Sequence, residues 1–161
     1  PTALETTVGP MARPDLRDAL HRQVQASIQA GAKVAMGGTL PGGPGCFYPV
    51  TLLTQVGPGM PAWDEELFGP VATLHVAADR EAAIAAANDS AYGLGASLWS
   101  ADTERAQCTA ARLQVGNVFI NGMTRSDPRL PFGGRSLSGY GRELSAEGIR
   151  EFVNAKTVWV A

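Results

Sequence analysis

Between residues 71 and 121 the chain alternates β-branched apolar runs with alanine-rich helical stretches, and this alternation restricts the fold more than any other feature. The pattern predicts strands over 71–76, 96–99 and 117–121, and helices over 80–90 and 103–113, the second opened by the cap candidate Asp102. Two strands joined through a single helix and short loops are expected to lie parallel, with right-handed crossovers. The fold class expected is therefore α/β, an open and mostly parallel sheet with flanking helices. In such sheets ligands gather beyond the carboxyl ends of the strands, which directs attention to the loop from Gly122 to Gly141.

The flanks are read in the same way. Leu16, Leu20, Val24 and Ile28 recur every four residues, predicting an amphipathic helix over 14–30 with Gly31 as its C-cap candidate. A short buried strand is expected at 32–36, a surface loop at 40–45, and an irregular or edge strand at 47–56, where Pro49 interrupts the run. A last helix over 143–153 and an apolar strand over 157–160 close the chain. With 161 residues, of which 45% are hydrophobic, one modest core is expected, so 1–153 is read as one domain and 154–161 as a terminal strand. The chain opens on Pro1 rather than methionine, which suggests a processed, truncated or excerpted polypeptide.

A net charge of −2 without a basic run argues against nucleic acid as a partner, and no apolar stretch reaches the length of a membrane helix. No signal-peptide layout precedes the first helix, so a soluble cytoplasmic protein is expected. Cys46 and Cys108 have neither ligand-like spacing nor neighbouring histidines, so no metal site or disulfide framework is implied; Cys108 is read as a small buried residue. His75, inside an apolar strand, reads as a core or sheet-surface residue, and His21 as solvated.

Two loops stand out. Four glycines between Gly133 and Gly141 permit unusual backbone conformations and close approach; the spacing lacks a phosphate-loop signature, so a tight structural turn is the favoured local reading. The triplet Asp64-Glu65-Glu66 is either a solvated acidic turn or a site for a ribose diol, since one carboxylate accepts two hydroxyl hydrogen bonds.

These loops belong to a larger ordered set: Glu65-Glu66-Leu67-Phe68-Gly69-Pro70-Val71, Ala87-Asn88 with Tyr92-Gly93-Leu94, Gly116-Asn117-Val118-Phe119-Ile120-Asn121, Pro131-Phe132-Gly133-Gly134, and Ser138-Gly139-Tyr140-Gly141-Arg142-Glu143. In this order and spacing they resemble the C-terminal part of the catalytic domain of NAD(P)-dependent aldehyde dehydrogenases, from about Gly9 to the end of the chain. The stretch from Asn121 to Ser145, followed by Lys156-Thr157-Val158-Trp159, is most similar to bacterial succinate-semialdehyde dehydrogenases.

The resemblance implies oxidation of a small-molecule aldehyde to a carboxylic acid with NAD or NADP as cofactor. Family chemistry uses a cysteine thiolate, an oxyanion donor, a nicotinamide hydride acceptor and a glutamate that activates water. By resemblance Glu66 holds the nicotinamide ribose and Phe68 borders the ring. Ser126 hydrogen-bonds the substrate's distal carboxylate, with Arg125 and Arg129 beside it, Phe132 lines the substrate tunnel, and Glu143 is a second proton relay. Lysine is usual in the family where Ser136 stands here, next to Arg135. The resemblance also places the nucleophile, main general base and dinucleotide-binding domain upstream, so the chain alone is expected to need an N-terminal portion and to be inactive without it. Strand 157–160 is expected to serve oligomerisation, giving a homo-oligomer and self-association of the isolated chain. Competing readings are a dehydrogenase for another semialdehyde or aldehyde, and a non-catalytic truncated module.

Overall fold

The computed structural model describes residues 3–161, which fall into two compact units, residues 3–76 and 77–161. The first opens with helix α1 (Pro14–Gln29), whose first position is a proline. Proline suits that position because the amide it lacks would have no helical partner there. At the other end Gly31 adopts φ +116°, its N–H donates to the Ile28 carbonyl at 3.0 Å and the Ala32 N–H to the Ser27 carbonyl at 2.9 Å. These paired bonds satisfy carbonyls that the helix end leaves open, and they turn the chain so that Ala32 is buried.

Leu20 and Val24 of α1 pack with Ala32, Tyr48, Leu53, Val56 and Ala62 into the core of this unit. Ser27 is fully buried but satisfied: its hydroxyl donates to the Gln23 carbonyl at 2.8 Å and accepts the Ala62 N–H at 2.9 Å, tying α1 to the short helix α2 (Pro61–Asp64). Strands β1 (Lys33–Met36), β2 (Thr51–Thr54) and β3 (Val71–Leu74) form a sheet in that order, β1 antiparallel and β3 parallel to β2.

Two expectations are corrected in this sheet. The 47–56 run supplies its central strand rather than an edge, because Pro49 lies before β2 and costs the ladder no donor. All of β1 is exposed rather than buried. His21, expected in solvent, is half-buried with Nδ1 3.2 Å from the Tyr48 hydroxyl, whereas His75 lies just past β3, exposed, edge-on to Trp63 at 5.2 Å between ring centres.

The second unit holds α3 (Arg80–Asn88), β4 (Gly95–Leu98), α4 (Thr103–Ala110), β5 (Asn117–Ile120) and α5 (Ser145–Arg150). Asp79 caps α3 by accepting the Ala82 N–H at 2.8 Å, and Asp102 caps α4 by accepting the Arg105 N–H at 2.9 Å. Arg112 spans from beyond α4 to Glu81 of α3, and with Arg80 it holds the Glu81 carboxyl down at about 2. Strands β4 and β5 pair in parallel across the α4 crossover. Asp102→Ala should cost about 1 kcal/mol, read as a lowered urea midpoint, because the Arg105 amide loses its side-chain partner.

The single open sheet expected from the sequence is thus replaced by two sheets, one of three strands and one of two. The terminal segment is unpaired among the described residues. Residues 157–160 form no ladder, and Val158, Trp159 and Val160 are exposed because no described strand lies beside them. Helix α5 is shorter than expected, since Glu143 is held in an extended bridge, Leu144 takes positive φ just before the helix and Ser145 does so at its first position. Cys108 is exposed on α4 rather than buried, and Cys46 is half-buried. Among the described residues no helix is long and apolar enough to cross a membrane, and no cluster of three or more His, Cys, Asp or Glu could hold a metal ion.

Candidate functional site

In the first unit the acidic triplet separates into three environments. Asp64 accepts the Gly59 N–H at 2.9 Å and so closes the turn before α2. Glu65 accepts from Gln23 Nε2 at 2.7 Å, and the same amide donates to the Glu66 backbone carbonyl at 3.2 Å. Two carboxylates thus serve structure, while the Glu66 carboxylate is exposed and has no hydrogen bond or ion pair to any described residue. Gln23 of α1 is the residue that sequence reading missed; it lies 42 positions from Glu65, and no local pattern marks it.

Phe68 follows on a constrained backbone. The Gly69 N–H donates to the Leu67 carbonyl at 2.9 Å, Val71 donates to the Gly69 carbonyl at 2.8 Å, and the Pro70 carbonyl accepts from Thr51 of β2 at 2.9 Å. A Cβ on Gly69 would stand 2.4 Å from Leu20 Cδ2, so glycine is what lets this segment lie against α1. The Phe68 ring is 71% exposed and borders an apolar pocket of about 290 Å³ with Met11, Leu16 and Leu67. A free carboxylate two residues from an exposed aromatic ring fits a ligand with a diol and a flat ring, so these residues suit the nicotinamide-ribose end of a dinucleotide.

In the second unit the glycine-rich loop proves to be a packed turn. Asn117 Nδ2 donates to the Gly133 carbonyl at 2.8 Å and the Leu94 carbonyl at 2.9 Å, while Arg142 Nη1 donates to the Gly134 carbonyl at 2.9 Å. The Ser138 hydroxyl accepts from the Gly93 amide at 3.0 Å. These bonds fix the loop against the start of β4 and β5. Ser136 takes φ +55° at the head of a 3-10 turn, Ser136–Ser138.

Phe132 and Glu143 are brought together by a two-way backbone bridge, Phe132 N–H to Glu143 carbonyl at 2.9 Å and the reverse at 2.8 Å. Their side chains serve different cavities. Phe132 lines a pocket of about 280 Å³ with Arg125, Asp127 and Phe119; Glu143, exposed, lines another with Pro128, Ile149 and Phe152. Ser126 is exposed on the same loop but does not line the Phe132 pocket. Arg129, expected to contribute charge, is committed instead to Asp127 through Nε at 2.9 Å and Nη2 at 2.7 Å, and this pairing holds the Asp127 carboxyl far below the usual range.

The first unit thus carries an exposed carboxylate and aromatic ring at Glu66 and Phe68, and the second carries an aromatic pocket bordered by Arg125 and Phe132. The chain belongs to the aldehyde dehydrogenase family, whose model matches residues 1–158. It is 50% identical over 161 residues, all of this chain and 36% of the relative, to a Synechocystis protein named probable succinate-semialdehyde dehydrogenase for NADP(+). It is 50% identical over 155 residues, 96% of this chain and 34% of the relative, to the Escherichia coli K12 succinate semialdehyde dehydrogenase for NAD(P)+. Succinic semialdehyde dehydrogenase of Streptococcus pyogenes, solved with NADP+, superposes with a TM-score of 0.93 at 37% identity, covering 98% of this chain and 35% of that one.

The chain therefore spans about a third of the length of the relatives it matches. The C-terminal placement read from the sequence is corrected to this coarser statement. The matches assign a share of the relatives' length, and neither a C-terminal position nor an absent nucleophile follows from them.

Proposed function

We propose that the enzyme carrying this segment oxidises succinate semialdehyde to the dicarboxylic acid, with NADP or NAD as hydride acceptor. The observation that carries the reading is the 50% identity, spread over all 161 residues, to a relative named for that substrate. Glu66 accepts hydrogen bonds from the nicotinamide ribose hydroxyls, and Phe68 covers one side of the ring. When bound, the nicotinamide supplies the hydride-accepting carbon. Phe132 forms the apolar wall along which the substrate chain lies, Ser126 donates a hydrogen bond to its distal carboxylate, and Glu143 relays a proton. The exposed apolar terminus at 157–160 pairs with another strand of a homo-oligomer.

The wild-type enzyme should prefer succinate semialdehyde to butanal, which lacks the second carboxylate. A hydroxyl bonding a carboxylate contributes about 1.5–3 kcal/mol, so Ser126→Ala should lower kcat/KM for succinate semialdehyde about ten- to a hundredfold and leave butanal nearly unchanged. Phe132→Ala should slow both aldehydes through lost apolar contact. Equal losses for both aldehydes in Ser126→Ala would make the serine a support of the loop. A wild-type enzyme that prefers uncharged aldehydes would overturn the substrate assignment and leave the family intact.

A further inference from the structure

Gln23 links the core of the first unit to its acidic turn. It stands on α1 beside the buried Val24, and its own carbonyl accepts the Ser27 hydroxyl at 2.8 Å, the same hydroxyl that receives the Ala62 N–H of α2. The half-buried side chain therefore starts from a fixed base. A primary amide carries two N–H bonds, so the Gln23 nitrogen can serve two acceptors at once. It donates to the Glu65 carboxylate at 2.7 Å and to the Glu66 carbonyl at 3.2 Å.

The backbone on either side is held as well, the Glu65 N–H by the Pro61 carbonyl at 2.9 Å and the Leu67 carbonyl by the Gly69 N–H at 2.9 Å. Between those two points it is the Gln23 bond that fixes the Glu66 carbonyl, and with it the peptide plane on which the chain leaves that residue. The Glu66 carboxylate takes part in none of these bonds and stays exposed. Charge acts in the same sense. Gln23 is a neutral donor, so it engages one carboxylate of the pair and leaves the full negative charge of the other available to hydroxyl donors. Removing the amide would free the Glu66 peptide plane to rotate and release the Glu65 carboxylate beside Glu66.

We propose that Gln23 is a positioning residue for cofactor binding: by holding the Glu65 carboxylate and the Glu66 carbonyl with one amide, it presents the Glu66 carboxylate to the hydroxyls of a ribose. This rests on the reading of Glu66 as the ribose acceptor, while the double hydrogen bond that sets the turn does not.

The experiment uses the whole enzyme and titrates NADPH and NADH by their own fluorescence, so that affinity is read without turnover. Gln23→Met keeps the length of the side chain and removes both donors; it should raise the dissociation constant about five- to tenfold. The KM for the cofactor should rise in parallel, while kcat and the KM for succinate semialdehyde change by less than about twofold, a split that general loosening of the fold would not produce. Gln23→Glu keeps the shape but replaces the donors with acceptors, and should weaken binding at least as much. In Glu66→Ala, Gln23→Met should add less than about twofold, because no carboxylate is left to place. In Glu65→Ala it should still weaken binding, since the Glu66 carbonyl loses its partner there too. An unchanged dissociation constant in Gln23→Met overturns the proposal, and so does an undiminished effect of Gln23→Met in Glu66→Ala. If Glu66→Ala weakens binding and Gln23→Met does not, the positioning role falls and the ribose contact stands; if Glu66→Ala binds like the wild type, the ribose contact falls and takes the positioning role with it.

Discussion

Gly116→Ala should destabilise the enzyme by about 3 kcal/mol or more, a larger loss than any other single methyl group added to the 116–141 region would cause. A Cβ at position 116 would stand 1.8 Å from the Gly133 carbonyl oxygen and 2.8 Å from its carbon, so the obstacle is backbone rather than a side chain that can swing away. Nor can the carbonyl retreat easily, because Asn117 Nδ2 donates to it at 2.8 Å. The Gly116 amide is fixed too, donating to the Gly93 carbonyl at 3.0 Å. Gly122→Ala is the matched control: its Cβ would find only the Ile120 carbonyl at 3.9 Å, so its urea midpoint should stay close to wild type. If Gly116→Ala unfolds at the wild-type midpoint, the glycine-rich loop is not packed against the start of β5, and the anchoring of Phe132 loses its basis.

That contact illustrates which parts of the fold the sequence could disclose. Helix α1 was legible because Leu20 and Val24 repeat at helical spacing and Gly31 punctuates the end, and Asp102 was legible as a cap because its partner lies three residues away. Each of these signals is local. Strand pairing is not: β2 takes its register from Ala72 on one side and Thr54 pairs with Lys33 on the other, and nothing within either segment names its partner. Alternation of strands and helices therefore predicted the elements and overreached on the sheet, since a helix between two strands does not require that they pair. Burial failed for a related reason. Val34 and Met36 are apolar, but apolar character sets only a preference for cover and does not supply the layer that would cover β1.

The site shows the same division. Asp64, Glu65 and Glu66 are chemically equivalent in the sequence, and local reasoning had to leave a solvated turn and a ligand site side by side. Partners remote in sequence separate them, above all Gln23, which engages Glu65. Likewise Arg125 and Arg129 are equivalent flanks of Ser126 until the Asp127 carboxylate is seen to hydrogen-bond only Arg129. The phenylalanines were legible as types, but the backbone bridge joining Phe132 to Glu143 crosses eleven positions and emerges only in the fold.

The separation of the acidic triplet sets the second large expected effect. Glu66→Ala should lower kcat/KM for the cofactor about a hundredfold, since a carboxylate that accepts two ribose hydroxyls contributes about 3 kcal/mol in charge-assisted bonds. Glu65→Ala should change it by less than about threefold, because that carboxylate is directed to Gln23 at 2.7 Å rather than to a ligand. The nicotinamide ribose is common to NAD and NADP, so the Glu66→Ala loss should be equal for both cofactors. Thermal unfolding should be unaffected, as the Glu66 carboxylate has no partner among the described residues. Glu66→Gln keeps one acceptor oxygen and should fall between wild type and alanine. A loss confined to one cofactor would place Glu66 near the distinguishing phosphate rather than the nicotinamide ribose. Equal effects of Glu65→Ala and Glu66→Ala would return the triplet to its other reading, an acidic turn held for stability.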